Sequence, residues 1–414
     1  MSYIEDLGKN AKAAAPFLAG LGSGEKNKAL AKISELLRAN KAELIAENKI
    51  DIENARKNGM SEAMIDRLEI NEKRIEAMAE GVDKVISLDD PVGEVIGGGE
   101  LANGLRIVKK RVPIGVIGII FESRPNVTVD AAALCFKAGS AVILRGGSDA
   151  INSNKALVNL MRKALREVGA EENCVQLVED TSHETANEMM RLNRYINLLI
   201  PRGGGRLIHA VIDNATIPVI QTGEGNCHVF VDESADIDMA VNIVDNAKTQ
   251  RPSVCNAIES ILVHEKIARE FFEKLNERWN GKVEIVGDSK TAENISVSKI
   301  ADDTDYRTEF LALKLSSKVV KSVDEAIAHI NKFGTGHSEC IVTGSLANAE
   351  KFQKLVDAAA VYVNASTRFT DGFEFGLGAE IGISTQKLHA RGPMGLKELT
   401  TYKYLINGEG QIRG

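Results

Sequence analysis

Apolar residues in the first ninety positions recur at the spacing of an amphipathic helix. The clearest case is the charged, proline-free stretch from residue 25 to 57, whose apolar face comprises Leu30, Ile33, Leu37 and Leu44. Gly59 and Ser61 mark the end of this pattern and the start of the next one. The N-terminal region is therefore predicted to be helical.

Residues 92–112 carry a different pattern. Glycine-rich turns lead into the run L-R-I-V-K-K-R-V, in which apolar and charged residues alternate, and such alternation is typical of a strand with one solvated face. We expect a β-hairpin here that serves in oligomerisation. The C-terminal run E-L-T-T-Y-K-Y-L-I is also strand-like, and we expect it to pair with this hairpin, in the same chain or in another subunit.

Short apolar runs alternate with helical segments from Val112 onward. The runs are V-P-I-G-V-I-G-I-I-F, A-V-I-L, C-V-Q-L-V, I-N-L-L-I and I-P-V-I, and the clearest helical face comprises Ala131, Leu134, Cys135 and Ala138. Apolar strands that alternate with helices indicate a parallel sheet that is covered by helices on both faces. A nucleotide-binding domain is the natural interpretation of this half of the chain.

The alternation restarts after the run H-V-F-V-D-E-S-A-D and predicts a second α/β domain. A chain of 414 residues is long enough for more than one domain of ordinary size. We expect an α/β protein with three parts: a cofactor domain with a helical N-terminus over residues 1–227, a catalytic domain over residues 228–385, and a C-terminal return segment with an oligomerisation strand over residues 386–414.

Composition and charge narrow the class of protein. The formal net charge is −7 and the pI is near 5.7, so no basic surface is expected and nucleic acid is not an expected partner. The longest apolar run, residues 112–121, is about half as long as a bilayer requires. The N-terminus, M-S-Y-I-E-D-L-G-K, carries acids where a signal peptide would be basic. We therefore expect a cytoplasmic protein with no membrane partner.

The five cysteines are spaced without a C-x-x-C pair, which favours neither a disulfide framework nor a metal site. Cys135 lies on the apolar face of a predicted helix, while Cys174 and Cys340 open apolar strands. A structural role is expected for these three. The sequence leaves the role of Cys227 open.

Cys255 differs from the other cysteines because it lies in the polar turn T-Q-R-P-S-V-C-N-A, with Arg251 close by. A nearby guanidinium stabilises a thiolate, and a polar turn exposes it. Two interpretations remain open at this point: a catalytic nucleophile, or a small residue that fills a domain junction.

Two glycine clusters follow predicted strands. Gly203, Gly204 and Gly205 stand between a strand and a helix, an arrangement that presents backbone N–H groups and a helix dipole to phosphate. The cluster lacks the G-x-G-x-x-G fingerprint, so a tight structural turn is the alternative. The second cluster is R-G-G-S, where Arg145 is placed to bind a ribose 2′-phosphate.

The sequence also resembles a known family. The segments P-I-G-V-I-G-I-I-F-E-S-R-P-N-V-T, L-R-G-G-S-D-A, G-N-C-H-V-F-V-D, K-T-Q-R-P-S-V-C-N-A, H-I-N-K-F-G-T-G-H-S-E and V-Y-V-N-A-S-T-R-F-T-D-G are similar to the gamma-glutamyl phosphate reductase family of the aldehyde dehydrogenase superfamily. The match spans almost the whole chain. The resemblance implies an aldehyde dehydrogenase-like fold with a Rossmann-type cofactor domain.

The resemblance also implies roles for individual residues. Cys255 matches the nucleophile of the superfamily. Glu309 and Phe310 resemble the pair that holds the nicotinamide ribose, although the Gly-Pro that follows in relatives is missing here. The contacts to NADP that the resemblance implies are Arg145, Gly146, Ser148, Gly203, Gly204, Gly205 and Glu309.

Two positions depart from the pattern of the superfamily. Relatives supply an oxyanion-hole asparagine from a Trp-Asn-x-Pro turn, whereas this chain has E-S-R-P-N-V, which makes Asn126 the candidate. Relatives that hydrolyse their thioester carry a glutamate base where this chain has Gln221, with Glu224 displaced along the chain. An amide cannot accept a proton at neutral pH, so Gln221 favours reduction of an acyl phosphate over hydrolysis.

The resemblance therefore implies the NADPH-dependent reduction of L-glutamyl 5-phosphate in proline biosynthesis, through a thioester on Cys255. Arg124, Arg251 and His337 are candidates to bind substrate, with surface pairing or a structural hydrogen bond as the alternative for each. A homo-oligomer and a partnership with glutamate 5-kinase are expected. A hydrolytic aldehyde dehydrogenase and a non-enzymatic nucleotide-binding protein are the other interpretations.

Overall fold

The computed structural model describes residues 2–122 and 124–413, apart from the side chain of residue 63. Its α-helices are α1 (Tyr3–Gly20), α2 (Ser23–Ala39), α3 (Lys41–Lys57), α4 (Glu62–Leu68), α5 (Glu72–Ser87), α6 (Asn126–Lys137), α7 (Ile151–Glu167), α8 (His183–Met190), α9 (Gly205–Asn214), α10 (Ile237–Thr249), α11 (Ala268–Trp279), α12 (Ser289–Ala292), α13 (Val323–Phe333) and α14 (Leu346–Leu355). Its strands are β1 (Val95–Glu100), β2 (Arg106–Pro113), β3 (Val116–Phe121), β4 (Ala141–Arg145), β5 (Val175–Leu177), β6 (Leu198–Arg202), β7 (Cys227–Val231), β8 (Ile258–His264), β9 (Glu284–Gly287), β10 (Lys299–Ile300), β11 (Lys314–Val320), β12 (Ser338–Val342), β13 (Ala360–Val363), β14 (Ile383–Ser384), β15 (Gly392–Pro393) and β16 (Thr400–Asn407).

The described chain divides into two compact units. Unit 1 contains the residues up to Gln221, together with Leu377–Gly382 and those from Met394 onward; unit 2 contains Thr222–Gly376 and Ile383–Pro393. The limits at residues 227 and 385, which divide the chain into a cofactor domain, a catalytic domain and a C-terminal segment, stay a prediction.

The sheet of unit 1 contains the parallel strands β5-β4-β3-β6, in that order. All six residues of β3 are buried, as expected for a central strand with helices on both faces. The predicted α/β fold with parallel sheets is confirmed. The prediction of a further strand at I-P-V-I is wrong: this segment meets β6 through an isolated bridge between Leu199 and Val219, because Pro218 has no N–H to donate to a ladder.

The helical prediction for residues 25–57 is confirmed, but the stretch forms two helices. The chain leaves α2 at Asn40, whose φ of −111° and ψ of 28° are not helical. The Asn40 side-chain amide donates to the Leu36 carbonyl at 2.7 Å, and this bond satisfies an acceptor at the end of α2. An asparagine at this place is a stop signal that the apolar pattern alone does not contain.

The predicted hairpin is formed by β1 and β2, and β16 pairs with β2 on its other side in antiparallel register, from Thr400 opposite Pro113 to Asn407 opposite Arg106. The C-terminal run therefore pairs with the hairpin of its own chain. Gly98 has a φ of +136°, and a methyl group there would lie 2.2 Å from the Ile107 carbonyl oxygen, so the close approach of β1 to β2 at this position requires glycine.

The main sheet of unit 2 is parallel in the order β10-β9-β11-β8-β7-β12-β13. Side chains alternate across it: Val229 and Val231 pack with α10 and α11 on one face, while Phe230 packs with α13 and α14 on the other. The second α/β pattern that the sequence predicts after H-V-F-V is present, but β11 was not expected, because its run K-L-S-S-K-V-V has buried serines at its centre. Among the described helices, none combines the length and the apolar character that crossing a bilayer would require.

The core of unit 2 yields a prediction about stability. Phe271 of α11 is fully buried in this core, so Phe271→Ala should lower the free energy of unfolding by about 3 to 5 kcal/mol through lost burial and a residual cavity. Urea unfolding followed by tryptophan fluorescence would measure the change, because Trp279 belongs to the same cluster. Leu388→Ala is the matched control, since that side chain is 82% exposed; equal losses in the two variants would contradict the packing described.

Candidate active site

The candidate residues of unit 2 lie at the amino edge of its sheet. Gly225 precedes β7, Cys255 precedes β8, Glu309 precedes β11 and His337 precedes β12. Because these strands are parallel, the segments that enter them reach the same edge. The sheet thus brings together residues that are far apart in the sequence.

Burial separates Cys255 from the other cysteines. Cys255 is partly exposed, whereas Cys135, Cys174, Cys227 and Cys340 are buried. Burial raises the pKa of Cys174 and of Cys340 to about 12 and raises the pKa of Cys135 and Cys227 above the ordinary value as well. These four thiols are protonated at neutral pH, so Cys255 is the thiol suited to nucleophilic attack.

Gly225 fixes the main chain at Cys255. A methyl group on Gly225 would lie 1.6 Å from the Cys255 carbonyl oxygen, so no other residue fits there without moving the cysteine. The Cys227 thiol donates to the same carbonyl at 3.1 Å. Cys227, whose role the sequence left open, therefore contacts the cysteine loop.

Glu309 is also brought to this loop, because its Oε1 accepts the Gly225 N–H at 2.7 Å. Burial raises the pKa of Glu309, while the Gly225 N–H acts in the opposite direction. Next to it, the Lys248 ammonium lies 2.6 Å from a Glu259 carboxylate oxygen, and the other Glu259 oxygen accepts from Leu311 N–H at 3.1 Å. This buried pair holds the chain that follows Glu309.

His337 is fully buried. Its Nδ1 lies 2.8 Å from Ser338 Oγ, and the network continues from Ser338 to Thr370 and Tyr362 at 2.6 and 2.7 Å. Burial lowers the pKa of His337 to about 4, so the ring is neutral at physiological pH. The structural hydrogen bond that the sequence offered as an alternative is present; contact with substrate stays a prediction.

Two arginines flank the cysteine loop. Arg251 is exposed, as its polar turn suggests. Arg368, which sequence reasoning did not single out, donates from Nε to the Gln250 side-chain oxygen at 2.9 Å. The signal that could have found it is the motif S-T-R-F-T-D-G, which contributes to the family resemblance.

In unit 1, three groups of candidates lie at the carboxyl edge of the sheet: Arg124 and Asn126 after β3, Arg145 at the end of β4 with Gly146 and Ser148 after it, and Gly203, Gly204 and Gly205 after β6. This is the edge at which parallel α/β sheets bind ligands. Gln221, the last residue of unit 1 before the division, is half-buried.

One feature of this edge, the guanidinium of Arg145, fits a nicotinamide dinucleotide. The Arg145 guanidinium donates to the Thr181 and Ser182 carbonyls at 2.8 and 3.3 Å, while its buried Nε has no partner among the described residues. An unpartnered N–H on a fixed guanidinium is suited to an anionic oxygen. Gly146 has a packing role, because a methyl group there would lie 2.2 Å from the Asn154 side chain.

The glycine loop after β6 already binds an anion of the protein. The N–H of Gly204, which caps α9, donates to a Glu122 carboxylate oxygen at 2.9 Å. A methyl group on Gly203 would lie 2.6 Å from the same oxygen. A pyrophosphate predicted at this loop would compete with Glu122 for the Gly204 N–H.

Asn126 is the first residue of α6 and is exposed. Its amide donates to an Asp130 carboxylate oxygen at 2.9 Å. Burial raises the pKa of Asp130 to about 6, against the effect of this bond and of Arg202. In the described part of the chain, no cluster of His, Cys, Asp and Glu is arranged to hold a metal ion.

Similarity to known proteins identifies the family of this chain. The model of the aldehyde dehydrogenase family matches residues 2–308. The chain belongs to the aldehyde dehydrogenase family.

Its similarity to one branch of this family extends over the full length. Proteins named gamma-glutamyl phosphate reductase are 59% identical to it in Clostridium botulinum (strain Eklund 17B / Type B), over 98% of each chain, and in Carboxydothermus hydrogenoformans, over 100% of each. The crystal structure of gamma-glutamyl phosphate reductase from Thermotoga maritima is 53% identical and superposes with a TM-score of 0.98 over 100% of both chains. The resemblance inferred from the motifs is confirmed.

The fit of Gly225 against Cys255 can be tested by alkylation. In the native protein, iodoacetamide should react with Cys255 before the other cysteines. Gly225→Ala should change the rate of alkylation at Cys255 by about tenfold or more, because a forced shift of the loop alters the environment that sets the reactivity of the thiol. Mass spectrometry of tryptic peptides would locate the label. Gly24→Ala is the matched control, since a methyl group there meets no atom within 4 Å; an unchanged rate in Gly225→Ala would contradict the proposed constraint.

Proposed function

We propose that this protein reduces L-glutamyl 5-phosphate to L-glutamate 5-semialdehyde and phosphate, with NADPH as reductant and a thioester on Cys255, in proline biosynthesis. The observation that carries the proposal is that Cys255 alone of the five cysteines is accessible, in a chain similar over its full length to proteins named gamma-glutamyl phosphate reductase. The cytoplasm is the proposed location.

In the first step, Cys255 Sγ attacks the acyl carbon as a thiolate; a C–S bond forms and the carbon–oxygen bond to phosphate breaks. The Cys255 backbone N–H and Asn126 are the proposed donors to the oxyanion. Asn126 must then exchange its bond to Asp130 for one to substrate. When bound, reduced nicotinamide supplies a hydride. Cys255 leaves as thiolate when the semialdehyde forms.

Gln221 explains why the thioester survives long enough to be reduced. A hydrolytic enzyme needs a base that removes a proton from water, and an amide cannot do this at neutral pH. The thioester therefore has two fates. Reduction by hydride is the forward direction of the proposed reaction, and attack by inorganic phosphate, which re-forms the acyl phosphate, is the reverse direction.

The remaining contacts follow from charge and position. Arg145, Gly146, Ser148 and Gly203–Gly205 are proposed to bind NADPH in unit 1. Glu309 is proposed to hold the nicotinamide ribose. Arg124, Arg251 and His337 are proposed to contact the substrate.

A homo-oligomer is proposed through the sheet β1-β2-β16. Its support is the exposure of large apolar side chains along these strands, of which Val95, Tyr404 and Ile406 are more than half exposed. A partnership with glutamate 5-kinase is proposed because acyl phosphates hydrolyse readily in water.

A hydrolytic aldehyde dehydrogenase is the second candidate. It is favoured by Glu309, whose carboxylate reaches the cysteine loop and has a raised pKa, as a general base requires. The release of the acyl group distinguishes the two functions.

The test of the reductase is the reverse reaction. Oxidation of glutamate semialdehyde by NADP should require inorganic phosphate, because the thioester must be released by a nucleophile that needs no base. Formation of NADPH is followed by absorbance. Cys255→Ser should lose nearly all activity, and Gln221→Glu should gain some phosphate-independent turnover. Oxidation at full rate without phosphate, with free glutamate as product, would favour the hydrolytic enzyme.

The preference for NADPH is tested separately through Arg145→Leu. Loss of a charge-assisted contact of roughly 1.5 to 3 kcal/mol should raise the Michaelis constant for NADPH by about tenfold or more and leave that for NADH nearly unchanged. Arg56→Leu, at an exposed position of α3, is the control. Equal increases for the two cofactors would show that Arg145 shapes the loop and does not read the 2′-phosphate.

A further inference from the structure

Arg368 is held against both ends of the cysteine loop. The side-chain amide of Asn256, the residue after Cys255, donates to the carbonyls of Thr370 and Arg368 at 2.9 and 3.3 Å. In return, Thr367 Oγ1 donates to the Asn256 carbonyl at 2.7 Å. The main chain at residues 367–370 is thus bound to the position directly after the nucleophile.

The side chain of Arg368 extends to the other end of the same loop. Its Nε donates to the neutral amide oxygen of Gln250 at 2.9 Å, and Gln250 directly precedes Arg251. The guanidinium therefore lies along the segment that contains Arg251 and Cys255. The main chain at Arg368 is bound to Asn256 and the Arg368 Nε to Gln250, so the position of the charge is restricted at both ends.

This region carries the positive charges of Arg251 and Arg368 close to the Cys255 thiol. Among the described residues, neither Arg251 nor Arg368 forms an ion pair with a carboxylate, whereas other arginines do, as in the pairs of Arg111 with Glu94 and of Arg391 with Asp357. Burial lowers the pKa of Arg368, the charge of Arg251 lowers it further, and Cys255 and Asp371 oppose this effect. Two guanidinium groups that repel each other beside a thiol are stabilised when an anion binds between them.

We propose that Arg368 and Arg251 together form the subsite that binds the phosphoryl group of the acyl phosphate, and the inorganic phosphate that leaves, beside Cys255. The inference rests on the proposed function and adds a residue and a ligand group to it. Guanidinium donors match the oxygens of phosphate in a bidentate manner, and two cations suit a dianion. Bound there, the phosphate would leave with its charge neutralised as the C–S bond forms.

The α-carboxylate of the substrate has similar chemistry and is the competing ligand. The two are distinguished by the reverse reaction, in which phosphate and semialdehyde are separate substrates. Arg368→Gln should raise the Michaelis constant for phosphate by about tenfold or more, as expected for loss of a hydrogen bond between charged groups, with that for semialdehyde unchanged. A raised Michaelis constant for semialdehyde with an unchanged one for phosphate would assign the two arginines to the substrate carboxylate and overturn the proposal.

A second measurement does not depend on turnover. Inorganic phosphate should protect Cys255 of the wild-type protein from iodoacetamide, and Arg368→Gln should require about tenfold or more phosphate for the same protection. The ratio of the alkylation rates with anionic iodoacetate and neutral iodoacetamide should fall in the same variant. If phosphate protects the wild-type protein but oxidation needs no phosphate, the proposed function fails while the anion subsite stands.

Further variants test whether a folding defect explains the result for Arg368→Gln. Arg251→Gln replaces an exposed side chain and should reduce phosphate protection even if Arg368→Gln does not fold. Arg368→Lys keeps the charge but loses the bond to Gln250 and should give an intermediate result. Arg269→Gln, at an exposed ion pair with Glu273, is the matched control and should behave as wild type. Unchanged protection in both Arg251→Gln and Arg368→Lys would overturn the proposal.

Discussion

The contact between Gly225 and the main chain of Cys255 is the constraint on which the arrangement of unit 2 depends. No methyl group fits between them. The chain that enters β7 can therefore approach the loop that enters β8 this closely only because residue 225 has no side chain. This closeness leaves the Gly225 N–H directed at Glu309 and the Cys255 carbonyl directed at the Cys227 thiol. Each of these contacts would be lost if the two segments separated, because hydrogen bonds weaken steeply with distance.

Burial then decides which groups can react. Strands and helices of the core enclose Cys135, Cys174, Cys227 and Cys340, and a buried thiol does not ionise at neutral pH because the apolar interior does not solvate a thiolate. His337 is subject to the same effect with the opposite sign of charge, and remains a neutral hydrogen-bonding group. Cys255 is partly exposed because it belongs to a loop at the edge of the sheet.

The distribution of charge differs between the two units at their candidate sites. In unit 2, Lys248 and Glu259 neutralise each other in the core, while the guanidinium groups of Arg251 and Arg368 remain without a carboxylate partner in the part of the chain that the structure describes. In unit 1, the Glu122 carboxylate already binds the N–H of Gly204. Positive charge without a carboxylate partner thus lies beside the cysteine loop, whereas an N–H of the glycine loop is already bound to a carboxylate.

The sequence by itself determined the alternation of strands and helices, the pairing potential of the hairpin and the C-terminal strand, the exceptional position of Cys255 and the family. These are properties of local pattern: period, turn residues and motif order. It did not reveal that Asn40 ends a helix, that Pro218 prevents a strand, or that β11 carries buried serines, since each depends on hydrogen bonds to particular neighbours. Nor could it place Arg368 at the cysteine loop or Glu122 on Gly204, because residues more than eighty positions apart meet only when parallel strands align their ends. Adjacent residues determine the local pattern, whereas the surroundings of a reactive group come from distant segments that only the tertiary structure brings into contact.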